Sequence, residues 1–147
     1  MPYGSWGFAK GMTGLRLDAV IVTCAISAGI HAALAPDHFH EATAAGIGFV
    51  VATVLLAALA VQLTLRPGDR RALVGAALVY VGLIVSYVLA ITTGVPVLHP
   101  DVEPVDGLAL FTKAVEVAGL AASLSLLSTE RNPTWTRHAL PARFLSH

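Results

Sequence analysis

The chain has 147 residues, nine Lys+Arg against nine Asp+Glu, 56% hydrophobic residues and 12% charged ones, with a mean hydropathy of +0.74. Average soluble domains carry about 25% charged residues, so half that charge is too little to cover a water-exposed surface. The balanced charge leaves no basic patch for nucleic acid, and a lone cysteine, Cys24, leaves no disulfide framework. A small integral membrane domain remains.

In chain order, four apolar stretches approach the ~20 residues that a bilayer core requires. They are expected at about 17–34, 42–65, 72–92 and 107–127 within a single domain, 1–147. The first is expected to stop before Pro36-Asp37, the second at Arg66-Pro67-Gly68-Asp69, and the third at Thr93-Gly94-Val95-Pro96. The fold class is therefore an all-α, four-helix transmembrane bundle. Lys10 and Arg16 precede the first span, Arg66, Arg70 and Arg71 separate the second from the third, and Arg131, Arg137 and Arg143 follow the fourth. The other two connections hold no Lys or Arg, so the positive-inside rule places both termini and the middle loop in the cytoplasm. Lys10 and Arg16, the apolar run and Ala33-Leu34-Ala35 also resemble a cleavable signal, but Pro36 would follow the cut, and an uncleaved first span is expected. Aromatic residues with nearby Arg near both ends (Trp6, Phe8, Trp135, Phe144) suit interface-lying segments. Seven Arg against two Lys, with abundant Ala, Val, Leu and Gly, is the composition of a GC-rich bacterial genome, so the expected location is a bacterial plasma membrane.

Membrane helices associate through small and polar residues, because lipid tails are as apolar as leucine. Such stripes are Cys24/Ser27/His31 on the first span, Glu41/Ala45/Gly48/Ala52 on the second, Gly82/Ser86 on the third and Thr112/Glu116/Gly119/Ser123 on the fourth. All four are expected to point inward, with Cys24 as a small filler.

The titratable residues are unevenly placed. Four of six His and five of nine acids fall in or beside the first and third loops: His31, Asp37, His38, His40, Glu41, His99, Asp101, Glu103 and Asp106. Imidazole and carboxylate are ligands for divalent transition metals such as Cu or Zn. His38 and Glu41, three apart at the expected start of the second helix, would share one face. With His31 and Glu116 they form the candidate metal set. Acids at a helix start also stabilise its dipole without any metal. Lys113 and Glu116 lie inside the fourth span, where a charge costs about 2.5–3.5 kcal/mol. Three residues apart, they can pair, and Glu116 is either a functional group or glue between helices.

No catalytic or cofactor-binding set is complete. There is no facing pair of in-membrane histidines for haem, no Gly-rich phosphate loop, and no nucleophile beside a positioned base. His31, His38-Phe39 with Glu41, Gly94-Val95-Pro96, Glu103-Pro104-Val105 and Glu116 together resemble the pattern of a large, poorly characterised family of bacterial four-span membrane proteins. The chain departs from that pattern at Ala90-Ile91, where the family has Ser-Arg, and at Ala109, where it has an acid. The resemblance implies the four-helix fold and no particular activity. The sequence favours a non-catalytic accessory subunit of a larger membrane complex, a respiratory or copper-dependent oxidoreductase, whose partners are the bilayer and other membrane subunits. A stand-alone metal-binding or metal-handling protein is the alternative.

Overall fold

The structure, a computed structural model, describes residues 5–94, 102 and 104–130, with side chains from residue 11 to 129 within those limits. It contains α1 (Ser5–Glu41), α2 (Thr43–Leu65), α3 (Arg70–Thr92) and α4 (Gly107–Glu130). Each is long and apolar enough to cross a bilayer, and the protein is a four-span integral membrane protein. His99, Asp101, Glu103, the Val95-Pro96 turn, the three C-terminal arginines, Trp135 and Phe144 lie outside the described residues, as do the side chains of Trp6 and Phe8.

Helix ends follow local chemistry. Between α2 and α3, Gly68 takes a positive φ of 85°, which a side chain would strain. Asp69 then caps α3, accepting from the Arg71 backbone N–H and from Gln62 Nε2, both at 2.9 Å. These bonds, Gln62's foremost, hold the Asp69 carboxyl below the usual carboxylate range. A depressed folded value means that the cap stabilises above the ordinary carboxylate range and is lost as pH falls through Asp69's own value. Gly94, at φ 70°, closes α3. Asp106 caps α4 by accepting from the Ala109 N–H at 2.7 Å.

The first helix differs from expectation. It does not stop before Pro36 but continues through it to Glu41. Proline removes one backbone hydrogen bond, and within a packed membrane bundle that loss is tolerated. The break falls instead at Ala42, whose backbone is extended at φ −155°, with no side-chain cap. His38 and Glu41 therefore stand on the last turn of α1 and not at the start of α2. Phe39 of the same turn lies over Gly46 of α2, where any Cβ would overlap its ring.

The helices pack in the ring α1–α2–α3–α4, with α4 closing on α1. The core occupies the half of the bundle nearest the Arg66–Arg71 turn: Val20 and Cys24 of α1, Leu56 and Leu63 of α2, Leu73, Ala76 and Tyr80 of α3, and Leu126 of α4. The inward stripes on α1 and α4 are as expected, with Cys24, Ser27, His31, Thr112, Glu116 and Ser123 all buried. Of the stripe expected on the second span, Ala45 and Ala52 of α2 are buried, whereas Gly48 of α2 and Glu41, now on α1, are exposed. On α3 the expectation is corrected: Gly82 and Ser86 are exposed, and Ala72, Ala76 and Tyr80 face inward. The rotation follows from Tyr80. Its ring is fully buried, and its hydroxyl donates to Thr23 Oγ1 at 2.8 Å beside Cys24 Sγ at 3.2 Å. Gly119 provides the space, since a Cβ there would lie 2.5 Å from Tyr80 Cζ and 2.6 Å from Thr23 Oγ1.

Gly119→Ala is therefore expected to destabilise the detergent-solubilised bundle by about 1–3 kcal/mol through overpacking. Denaturant titration followed by circular dichroism measures it, with Gly48→Ala, at a position where a Cβ meets nothing within 4 Å, as the near-neutral control.

Candidate functional site

On α1, Val20, Cys24, Ser27, His31, Leu34 and His38 follow one another at alternating spacings of four and three. That rhythm keeps them on one helix face, and it carries straight across Pro36. Ser27 and His31 meet α4 at Glu116. Ser27 Oγ donates to Glu116 Oε1 at 3.1 Å, and His31 Nε2 lies 3.9 Å from the same oxygen. Lys113 Nζ holds the other carboxylate oxygen, Oε2, at 2.5 Å, and donates to the Leu83 carbonyl of α3 at 3.4 Å. Glu116 is fully buried, while the Lys113 side chain keeps 17% exposure.

The network balances its charge internally. The ammonium and the carboxylate cancel. His31 Nδ1 lies 2.8 Å from the Ser27 carbonyl, which can only accept, so this nitrogen carries a proton. In the neutral ring, Nε2 then keeps its lone pair. His38 repeats the arrangement, with Nδ1 donating to the Leu34 carbonyl at 3.0 Å. Both imidazoles pack on Phe49 of α2, with centroid distances of 5.2 Å for His31 and 3.7 Å for His38.

Beside this network lies a cavity of about 290 Å³, lined by all four helices. Its polar contributors include His31, His38, Tyr87, Asp106, Thr112 and Lys113. The rest of its wall is mainly apolar, with Phe49, Leu34, Leu83 and Ala52 among the larger contributions. Lys113 Nζ lies 5.3 Å from the centre of the Tyr87 ring. The Tyr87 hydroxyl is buried and, among the described residues, has no hydrogen-bond partner. Buried polar atoms are nearly always satisfied by protein, water or ligand, and Tyr87 belongs to the cavity wall.

The candidate metal set is thus divided. His31 and Glu116 come together, and His38 shares the cavity wall with His31 but not with Glu116. Glu41 is exposed on the last turn of α1 and is not part of the cavity wall. Among the described residues, no three His, Cys, Asp or Glu side chains converge closely enough to hold one ion. Asp106 serves as a helix cap. Tyr87, Phe49 and the bridging role of Ser27 escaped the sequence reading. Lone aromatics in apolar helices carry no periodic signal, and a serine on a small-residue stripe reads as packing.

Compared with protein-family models, with curated proteins and with solved structures, the chain matches none, and no family is identified.

Removing one partner of the ion pair strands the other in a dry site. Lys113→Met or Glu116→Met alone is expected to destabilise the protein by about 3–5 kcal/mol, and the double substitution to recover most of that loss. A double-mutant cycle by chemical denaturation in detergent reads this coupling, and purely additive losses would show the pair to be energetically unimportant.

Proposed function

We propose that the protein is a non-catalytic, membrane-embedded binding protein whose site is the cavity bounded by His31, His38, Phe49 and Tyr87. The observation that carries this reading is the cavity itself. It lies among four membrane helices, has in its wall a tyrosine whose buried hydroxyl lacks a partner among the described residues, and rests beside an ion pair whose charges cancel. Ligand sites commonly combine apolar walls with a few convergent polar groups, and pockets begin at about 300 Å³. Polar groups inside membrane spans are costly and tend to mark function.

A Cu or Zn ion at His31, His38, Glu41 and Glu116 is a second reading. Its support is the pair of imidazoles whose Nδ1 protons are committed to backbone carbonyls, as metal-ligating histidines commonly are. Against it, an ion on Glu116 would have to displace Lys113 and Ser27. The charge distribution orients the His31/His38 end of the bundle away from the cytoplasm. An accessory role in a respiratory or copper-dependent complex is compatible with either ligand.

The test is to purify the protein gently from its own membrane and determine all bound non-protein species by native mass spectrometry and elemental analysis, with co-purifying chains identified in the same sample. A near-stoichiometric bound species is expected in the wild type and not in Gly48→Phe. Gly48 lines the cavity, and a Cβ there meets nothing within 4 Å, so the new ring can fill the site without a backbone clash. An organic species supports the binding reading, stoichiometric Cu or Zn the metal one. A wild type carrying no more than Gly48→Phe overturns both.

A further inference from the structure

The two helices opposite the α1–α4 seam do not close along their whole length. Near the Arg66–Arg71 turn, Leu56, Ala60 and Leu63 of α2 and Ala72, Leu73 and Ala76 of α3 belong to the common core. Toward the other end, Ala45, Gly48 and Phe49 of α2 and Leu83, Ser86 and Tyr87 of α3 line the cavity instead. Gly48 and Ser86 are both exposed. Their neighbours Ile47, Val51 and Val85 are exposed and apolar, at 52%, 49% and 50%. Gly48 lies about 7.5 Å and Ser86 about 9 Å inside their helix ends, at about 1.5 Å per residue. This wall of the cavity therefore opens onto lipid-facing surface, and a molecule dissolved in the bilayer can reach it from the side.

The groups at the site narrow what that molecule is. Among the described residues, the one cation of the wall, Lys113, is held by Glu116, and the other charge, Asp106, is itself an anion that caps α4, so an anionic ligand would be buried without a counter-ion. One hydroxyl donor, on Tyr87, has no partner among the described residues, and His38, whose Nδ1 donates to the Leu34 carbonyl, offers Nε2 as an acceptor. Phe49 lines the cavity, and the rest of its apolar wall is aliphatic. A volume of about 290 Å³ accommodates a substituted ring but not a long tail. We propose that the cavity takes the ring of a membrane-dissolved quinone or quinol. A ring carbonyl accepts from the Tyr87 hydroxyl, a quinol hydroxyl donates to a histidine Nε2, and the tail leaves between Gly48 and Ser86. The inference names the ligand class of the binding site proposed above and rests on that reading.

Purified protein in mild detergent, titrated with a decyl-substituted benzoquinone and its reduced form, tests it through the shift in thermal midpoint, with decanoic acid as the charged comparator. Saturable stabilisation by the quinone pair, and none by decanoate, is expected. Tyr87→Phe removes one hydrogen bond and should weaken quinone binding about 3- to 10-fold. Its ligand-free midpoint should stay at the wild-type value, since that hydroxyl has no partner among the described residues. Gly48→Phe should abolish the shift. No quinone effect, with another organic molecule found on the natively purified protein, overturns the ligand class and leaves the binding reading standing. No quinone effect and no bound species overturns both. Equal quinone affinity in wild type and Tyr87→Phe also overturns the proposal, because the hydroxyl that selects the ligand would then play no part.

Discussion

A fully buried carboxylate among lipid-facing helices is the constraint around which this bundle is arranged. Glu116 is stable there because Lys113, one turn earlier on α4, neutralises it and Ser27 of α1 donates to it. Lys113 in turn reaches the Leu83 carbonyl of α3. One acidic side chain thereby sets the relative heights of three helices. A second polar brace lies one turn away on each of the same helices. Thr23 stands four residues from Ser27, Tyr80 three from Leu83 and Gly119 three from Glu116, and the Tyr80 hydroxyl crosses to Thr23 through the gap that Gly119 leaves. Hydrophobic exclusion supplies little association energy between helices in lipid, so these two directional layers fix the register that apolar side chains alone would leave loose.

Among the described residues, α2 contributes a side-chain hydrogen bond to neither layer. It is held by packing, through Leu56 and Leu63 in the core and Phe39 against Gly46 at the opposite end. That division of labour explains where the cavity is. Three helices are tied by Glu116 and Tyr80, and the fourth meets α3 closely in only one half. The remaining space is bordered by the histidines of α1, the Phe49 ring of α2 and the Tyr87 ring of α3. Burial of a charge and availability of a binding space are thus two consequences of one arrangement.

Much of this was legible in the sequence, for identifiable reasons. Apolar runs bounded by Arg-Pro-Gly-Asp and by Thr-Gly place α2, α3 and α4 within about two residues of the expected limits at most of their ends, because span length and helix-stop chemistry are local properties. The inward stripes of α1 and α4 were readable because polar residues in a lipid-facing helix have few places to go. The end of α1 was not. Pro36 signals a stop locally, but packing of Phe39 on Gly46 carries the helix five residues further, and His38 and Glu41 move with it. Nor was the face of α3 readable. Gly82 and Ser86 look like a contact surface, yet a single tyrosine with a hydroxyl partner on α1 determines the rotation. The site was legible as a pairing of His31 with Glu116. Tyr87 and Phe49 join it through the fold and not through spacing.

The protonation state of Glu116 in a bilayer tests the central claim most directly. Infrared spectra of the protein reconstituted in lipid, with Glu116→Gln subtracted from wild type at neutral pH, isolate the signal of this one side chain. A carboxylate antisymmetric stretch that survives in wild type and is replaced in Lys113→Met by the carbonyl band of a protonated acid is the result expected for an ion pair that supports the fold. A protonated-acid band already present in wild type would contradict it, and the bundle would then rest on neutral hydrogen bonding without the internal charge pair.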